Sequence, residues 1–211
     1  MHQYRQQYLD YLAQIVNYGE GERPRVRHPE KWARIETIAK SGTFIDLAKT
    51  DRKIWIWSDH HFSHRRVIEM ENRPFANHAE MHEHFIVAYN ETVSPGDIVI
   101  WAGDITFGST SEFHENIWKH FNKTYNILVV GNHDFKKKNL RRLDFDEQHL
   151  LLAFKLNGKP VVITHYPFEC KDEGVTVVHG HLHGRPSPLH SQRNISVESI
   201  DYKPVLLSDV L

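Results

Sequence analysis

Nine carboxylate, carboxamide and imidazole side chains stand in five short clusters: Asp59 and His61 in SDHH, Asp104 in AGD, Asn132, His133 and Asp134 in GNHD, His165 in THYP, and His181 and His183 in HGHLHG. Imidazole and carboxylate are the usual protein ligands for divalent cations and the usual groups that move protons near neutral pH. Taken singly, each cluster also has a structural reading. SDHH can be a turn capped by Asp59, AGD an ordinary strand exit, HGHLHG a glycine-rich hairpin, and Asn132 and Asp134 turn residues.

Each cluster closes a short apolar run: KIWIW, DIVIW, YNILVV, VVIT and VTVV. Apolar runs of this length bounded by polar residues are the pattern of buried strands. Helical stretches lie between several of them, with capping-box spacing at Asn77 and Glu80 and again at Ser109 and Glu112. Alternating strands and helices predict a layered α/β domain. From Gln148 onward helices thin out, so mixed β-sheets flanked by helices are expected. In such folds ligand groups gather beyond the carboxyl ends of neighbouring strands, which would bring the five clusters into one crevice.

Residues 1–50 read as an N-terminal helical extension. One amphipathic helix carries Tyr4, Tyr8, Tyr11, Leu12, Ile15 and Val16 and stops at Gly19; a second runs from Pro29 to Gly42. Residues 51–211 then form the catalytic domain, a division that suits a chain of 211 residues. Lys plus Arg total 26 against 27 for Asp plus Glu, and the net charge of -1 gives no bulk attraction to nucleic acid or membrane. The basic run Lys136–Arg142 is a local exception, readable as a solvated helix or as a surface for an anionic polymer. With Cys170 as the one cysteine, no signal-peptide pattern and no apolar run of bilayer length, a soluble cytoplasmic protein is expected. Most of the 17 histidines are scattered and carry no assigned role.

In order, the blocks D-x-H, G-D, G-N-H-D, H before Tyr-Pro, and G-H-x-H resemble the calcineurin-like metallophosphoesterase superfamily, and all five are intact. SDHHFSH, NRPF, NISVE and YKPV are further similar to its small bacterial and phage phosphoesterases. The resemblance covers about residues 53 to 211. It implies two divalent cations about 3.5–4 Å apart that clamp a phosphoryl group. One cation would be held by Asp59, His61, Asp104 and His183, the other by Asp104, Asn132, His165 and His181, with Asp104 bridging. Mixed imidazole and carboxylate ligation suits manganese, iron, nickel or zinc better than calcium, and manganese is the first to try. His133 would bind the phosphoryl group or protonate the leaving oxygen. Asp134 is expected to hold the other ring nitrogen of His133, and Gly131 to permit the turn. His64, Arg66, Arg73 and Arg185 are candidate substrate contacts, a guanidinium being well matched to phosphate. Arg66 departs from the subgroup, in which this position is often Asn. His60 and His179 adjoin expected ligands but should point to the opposite face of their strands.

The implied activity is hydrolysis of a phosphodiester or phosphomonoester, a small or nucleotide ester being preferred, by attack of a metal-bound hydroxide. Two alternatives accompany it. A protein-interaction scaffold of the same fold would show eroded ligands, whereas every ligand position is retained here. A polynucleotide nuclease would share the site and differ in its approach surface, where Lys136–Arg142 is the feature to test.

Overall fold

The runs IWIW and IVIW form β1 (Ile54–Trp57) and β2 (Ile98–Trp101), every residue of which is buried. Strands buried on both faces belong inside a parallel sheet, where alternation with polar residues is absent. The computed structural model, which describes residues 2–15, 46–134 and 145–211, places them there. β1 and β2 pair in parallel, and β3 (Tyr125–Val129) and β4 (Glu147–His149) extend the same sheet. The short β9 (Val205–Leu206) closes the other edge of β1 in the antiparallel sense.

The second sheet begins with an antiparallel hairpin of β5 (Leu152–Leu156) and β6 (Lys159–Thr164). Asn157 and Gly158 link them with φ of 52° and 81°, the left-handed pair that a two-residue hairpin turn needs. β7 (Thr176–His179) and β8 (Gln192–Asn194) then add in parallel. Both sheets are therefore mixed, and each is rich in parallel pairs.

Alternation of faces explains the layering. Ile54, Ile56, Ile98, Ile100, Ile127 and Val129 of the first sheet meet Val161, Ile163 and Val178 of the second in one apolar cluster. Trp55, Trp57, Val99 and Trp101 point the other way. Helix α3 (His78–Thr92) covers that outer face, with Phe85 and Tyr89 against Trp57 at ring separations of 6.0 and 5.5 Å. Its start is capped by the Asn77 side chain, which accepts from Glu80 N. α4 (Thr110–Asn116) opens on a complete capping box at Ser109 and Glu112. A single turn, α2 (Val67–Met70), precedes α3, and α5 (Leu207–Val210) follows β9.

The N-terminal helix α1 (His2–Ile15) buries Tyr8 and Leu12 and packs Tyr8 on Phe168 at 5.2 Å. The Tyr8 hydroxyl accepts from the Tyr166 backbone N–H at 3.3 Å, one residue from His165. The helix expected from Pro29 to Gly42 and the basic run Lys136–Arg142 lie outside the described residues. No helix among the described residues is long and apolar enough to cross a membrane.

Candidate metal centre

All five clusters sit at the carboxyl ends of parallel strands, three in the first sheet and two in the second. At these exits Asp59, His61, Asp104, His181 and His183 all adopt the left-handed conformation, with φ between 52° and 70°. For a residue with a Cβ this costs roughly 1–2 kcal/mol, and such strain persists only where surrounding contacts over-determine it. Here the exits of β1 and β2 are tied by Asp59 N donating to Gly103 O and His61 N to Asp104 O, both at 3.1 Å. The glycines ahead of the ligand residues follow from the same crowding. A Cβ on Gly131 would stand 2.6 Å from Asp104 N, and one on Gly180 would run into Ser58 Oγ and the Asp59 carboxylate. Gly131 opens the turn expected there, its carbonyl accepting from Asp134 N at 3.2 Å, and it does so without a left-handed φ: what its missing Cβ provides is space.

Asp104 lies at the middle of the converged side chains. Its Oδ2 is 3.7 Å from His61 Nε2, 3.5 Å from His165 Nε2 and 3.7 Å from His133 Nε2. Asp59 Oδ1 is 3.7 Å from His61 Nε2, and Asp59, His61 and His183 offer ligand atoms within 4.8 Å of one another. Asn132 Oδ1 lies 2.9 Å from His165 Nε2 and 3.1 Å from His181 Nδ1. Asp59 Oδ1 and both ring nitrogens of His61 are buried and have no hydrogen-bond partner, an arrangement that is costly unless a cation takes them up. The ring orientations agree. His165 donates Nδ1–H to Ala102 O at 2.9 Å and His183 donates Nδ1–H to Glu198 at 3.0 Å, which turns each Nε2 toward the centre. The residues present thus fit divalent cations.

The electrostatics carry the same mark. Burial alone would lower His165, but the Asp104 and Asp59 carboxylates outweigh it and hold the imidazole up to about 10. Burial would raise Asp104, yet His165 and His61 bring it down to about 2. His181, buried and facing His165, falls to about 4. Such concentrated and opposed perturbation is characteristic of functional sites.

A family model for calcineurin-like phosphoesterases matches residues 52–208, a span that contains all five clusters. The chain belongs to the calcineurin-like phosphoesterase family. Within reach of this family membership, an uncharacterised protein of Methanocaldococcus jannaschii is 30% identical over 169 residues, covering 74% of this chain and 88% of that protein. The gene 66 protein of Mycobacterium phage L5 is 26% identical over 174 residues, covering 67% of this chain and 81% of its own. A crystal structure of a protein of unknown function from Aquifex aeolicus superposes with a TM-score of 0.62 at 24% identity, over 76% of this chain and 98% of that one, a likeness of fold.

Two expectations for the phosphoesterase site are overturned. Asp134 does not hold the ring of His133: its carboxylate accepts from the backbone N–H groups of Asp104 at 2.8 Å, Gly131 at 2.9 Å and Ile105 at 3.2 Å. Burial, then the neighbouring Asp104, push this carboxyl up to about 6. Arg73 is no surface contact for substrate, because its side chain is 0% exposed. Its guanidinium donates to the carbonyls of Asp59 and His60, both at 2.7 Å, and pairs with Glu198. Arg66 is exposed beside Glu69, and Arg185 is exposed with its Nε donating to Leu182 O. His64 lies beside the centre, its ring 5.8 Å from that of His61, and burial lowers its pKa. His60 faces away, packed against Trp57 and Phe62, while His179 bonds Gly180 O and Ser187.

Sequence reasoning missed four residues around the ligands. Ser58 and Ser196 donate to Asp59 Oδ2 at 2.7 and 3.0 Å, alongside the His181 backbone N–H. Glu198 receives His183, and Phe107 packs between His64 and His133 at ring distances of 4.1 and 4.4 Å. The signal was present in NISVE, whose Asn194 Nδ2 donates to the His183 carbonyl at 2.7 Å while Ser196 and Glu198 hold side chains of the centre.

Proposed function

We propose that this calcineurin-like phosphoesterase hydrolyses phosphate esters with two divalent cations in the cleft, one held by Asp59, His61, Asp104 and His183 and the other by Asp104, Asn132, His165 and His181. The observation that carries this reading is the position of Asp104 Oδ2, 3.7 Å from a ring nitrogen of one set and 3.5 Å from a ring nitrogen of the other. Bound cations supply Lewis acidity, polarising the phosphoryl group and making water nucleophilic at neutral pH.

The chain's own residues do the rest. Asp104 shares one carboxylate between the two sets and accepts the His133 backbone N–H on Oδ1 at 2.8 Å, which fixes the start of the GNHD turn relative to the ligands. The His133 side chain is 29% exposed, so it faces the cleft while its Nε2 stays within 3.7 Å of Asp104. In that position it holds a proton at Nε2 for a phosphoryl oxygen or the departing oxygen. Asp134 secures the backbone on both sides of this pair. His64 lines the same side of the cleft; Arg66 and Arg185, being exposed, offer guanidinium groups to an approaching anion. Residues 51–211 constitute the catalytic domain and residues 1–50 an extension whose first helix braces the segment after His165.

Small or nucleotide phosphodiesters are the substrate class we favour, on the family resemblance. The test is to strip the full chain of metal, restore manganese, and compare initial rates on bis-p-nitrophenyl phosphate and p-nitrophenyl phosphate. Manganese-dependent cleavage favouring the diester supports the reading. Preference for the monoester overturns the diester assignment, and cleavage of neither substrate with two manganese ions bound overturns the general esterase.

A further inference from the structure

The Arg73–Glu198 pair is a buried ion pair beside the centre with no part in the chemistry proposed above, and it joins segments 125 positions apart. Glu198 sits in the 3-10 turn Val197–Ser199, just past the point where the chain leaves the second sheet and bridges Ser58 of the first through Ser196. Its Oε1 accepts from Arg73 Nε at 2.8 Å and Nη2 at 2.7 Å, and from His183 Nδ1 at 3.0 Å. Arg73 in turn donates to the carbonyls of Asp59 and His60, both at 2.7 Å, so it grips the backbone of the left-handed turn that presents Asp59 and His61. One carboxylate oxygen and one guanidinium thereby connect His183 to the backbone of Asp59 and of His60, the residue before His61. Among the described residues, neither group hydrogen-bonds to Asn132, His165 or His181.

We infer that Arg73 and Glu198 are positioning residues for the Asp59–His61–His183 half of the centre and act on that half alone. The inference rests on the two-cation reading. Arg73 holds the strained turn in register, and Glu198 fixes the His183 tautomer with Nε2 unprotonated and aimed inward. Carboxylate partners of ligating histidines characteristically change metal affinity by about 10–100-fold when removed. A carboxylate that also neutralises a buried guanidinium keeps the whole relay rigid.

The test is calorimetric titration of manganese chloride into the metal-stripped full chain, comparing wild type with Glu198→Gln and Glu198→Asp. Glu198→Asp keeps a negative charge beside Arg73 but draws the shared oxygen back from His183 and Arg73 alike, so it separates loss of reach from loss of charge should Glu198→Gln fold poorly. In wild type two binding steps are expected. In both variants one step weakens by about 10–100-fold while the other is unchanged, and saturating manganese restores turnover. Equal weakening of both steps, or two wild-type steps in Glu198→Asp, overturns the inference and leaves the two-cation reading standing. A single step in wild type overturns both.

Discussion

Replacing Asp134 distinguishes a carboxylate that orients a catalytic imidazole from one that holds the backbone. Its Oδ2 accepts from the amides of Asp104 and Gly131, and its Oδ1 from that of Ile105. In Asp134→Asn the carboxamide oxygen can keep the two shorter bonds, but the NH2 group then faces the Ile105 N–H, leaving one buried donor unsatisfied at a cost of about 1–3 kcal/mol. Asp134→Ala orphans all three amides. A simple sum gives about 3–9 kcal/mol, and water entering the space left by the carboxylate brings the expectation to about 3–5 kcal/mol. Urea unfolding of metal-stripped protein at pH 7.5 measures this without the stabilisation that bound cations would add. With the carboxyl pushed up to about 6, the ionised acceptor form prevails at that pH. For a chain of this size the Asn variant should melt about 2–12 °C below wild type. A melting temperature within about 1 °C of wild type, accompanied by lost turnover, would refute the backbone role and restore the ring-orienting one.

Asp104→Asn should nearly abolish turnover and lower bound metal, because both ligand sets lose their shared charge; full activity with two metals bound would contradict the bridging assignment. His133→Ala should retain its metal yet turn over about 100-fold more slowly, and an unchanged rate would remove His133 from the mechanism. Burial holds His82 down to about 4, and its Nε2 accepts from Ser63 N at 3.2 Å, so the neutral ring is the folded form. A lowered histidine contributes stability above its ordinary pKa, lost as pH falls from about 6.5 toward 4. The decline in unfolding free energy across that window should therefore be shallower in His82→Gln, and identical slopes would show that His82 is not its source.

The strand exits were legible because their letters answer to contacts that admit little else. Gly131 and Gly180 stand where a Cβ would meet the next ligand's carboxylate or amide, so a glycine ahead of a ligand is a packing requirement visible in one dimension. Buried parallel strands were equally plain from runs such as IVIW, since strands covered on both faces need no polar alternation. What could not be read were partners set by the third dimension. Asp134 follows His133 directly, and adjacency made the ring look like its partner, whereas the turn aims the carboxylate at amides 29 and 30 positions earlier. Arg73 has the chemistry of a phosphate contact; only its pairing with Glu198, 125 positions away, shows that the guanidinium is already engaged.

The tie between Asp59 and Ser196 has a consequence for biosynthesis. A ribosome adding about 5–20 residues per second takes about 7–27 s to cross the 137 positions that separate them. Between positions 132 and 183 a nascent chain can present Asp59, His61, Asp104 and Asn132 but lacks His183, Glu198 and the serine that steadies the Asp59 carboxylate. The far edge of β1 also stays unpaired until Val205 and Leu206 emerge, exposing a hydrophobic strand to other chains. A cation that needed both Asp59 and His183 would thus have to await the second sheet, and its binding would report that the two sheets have closed on each other.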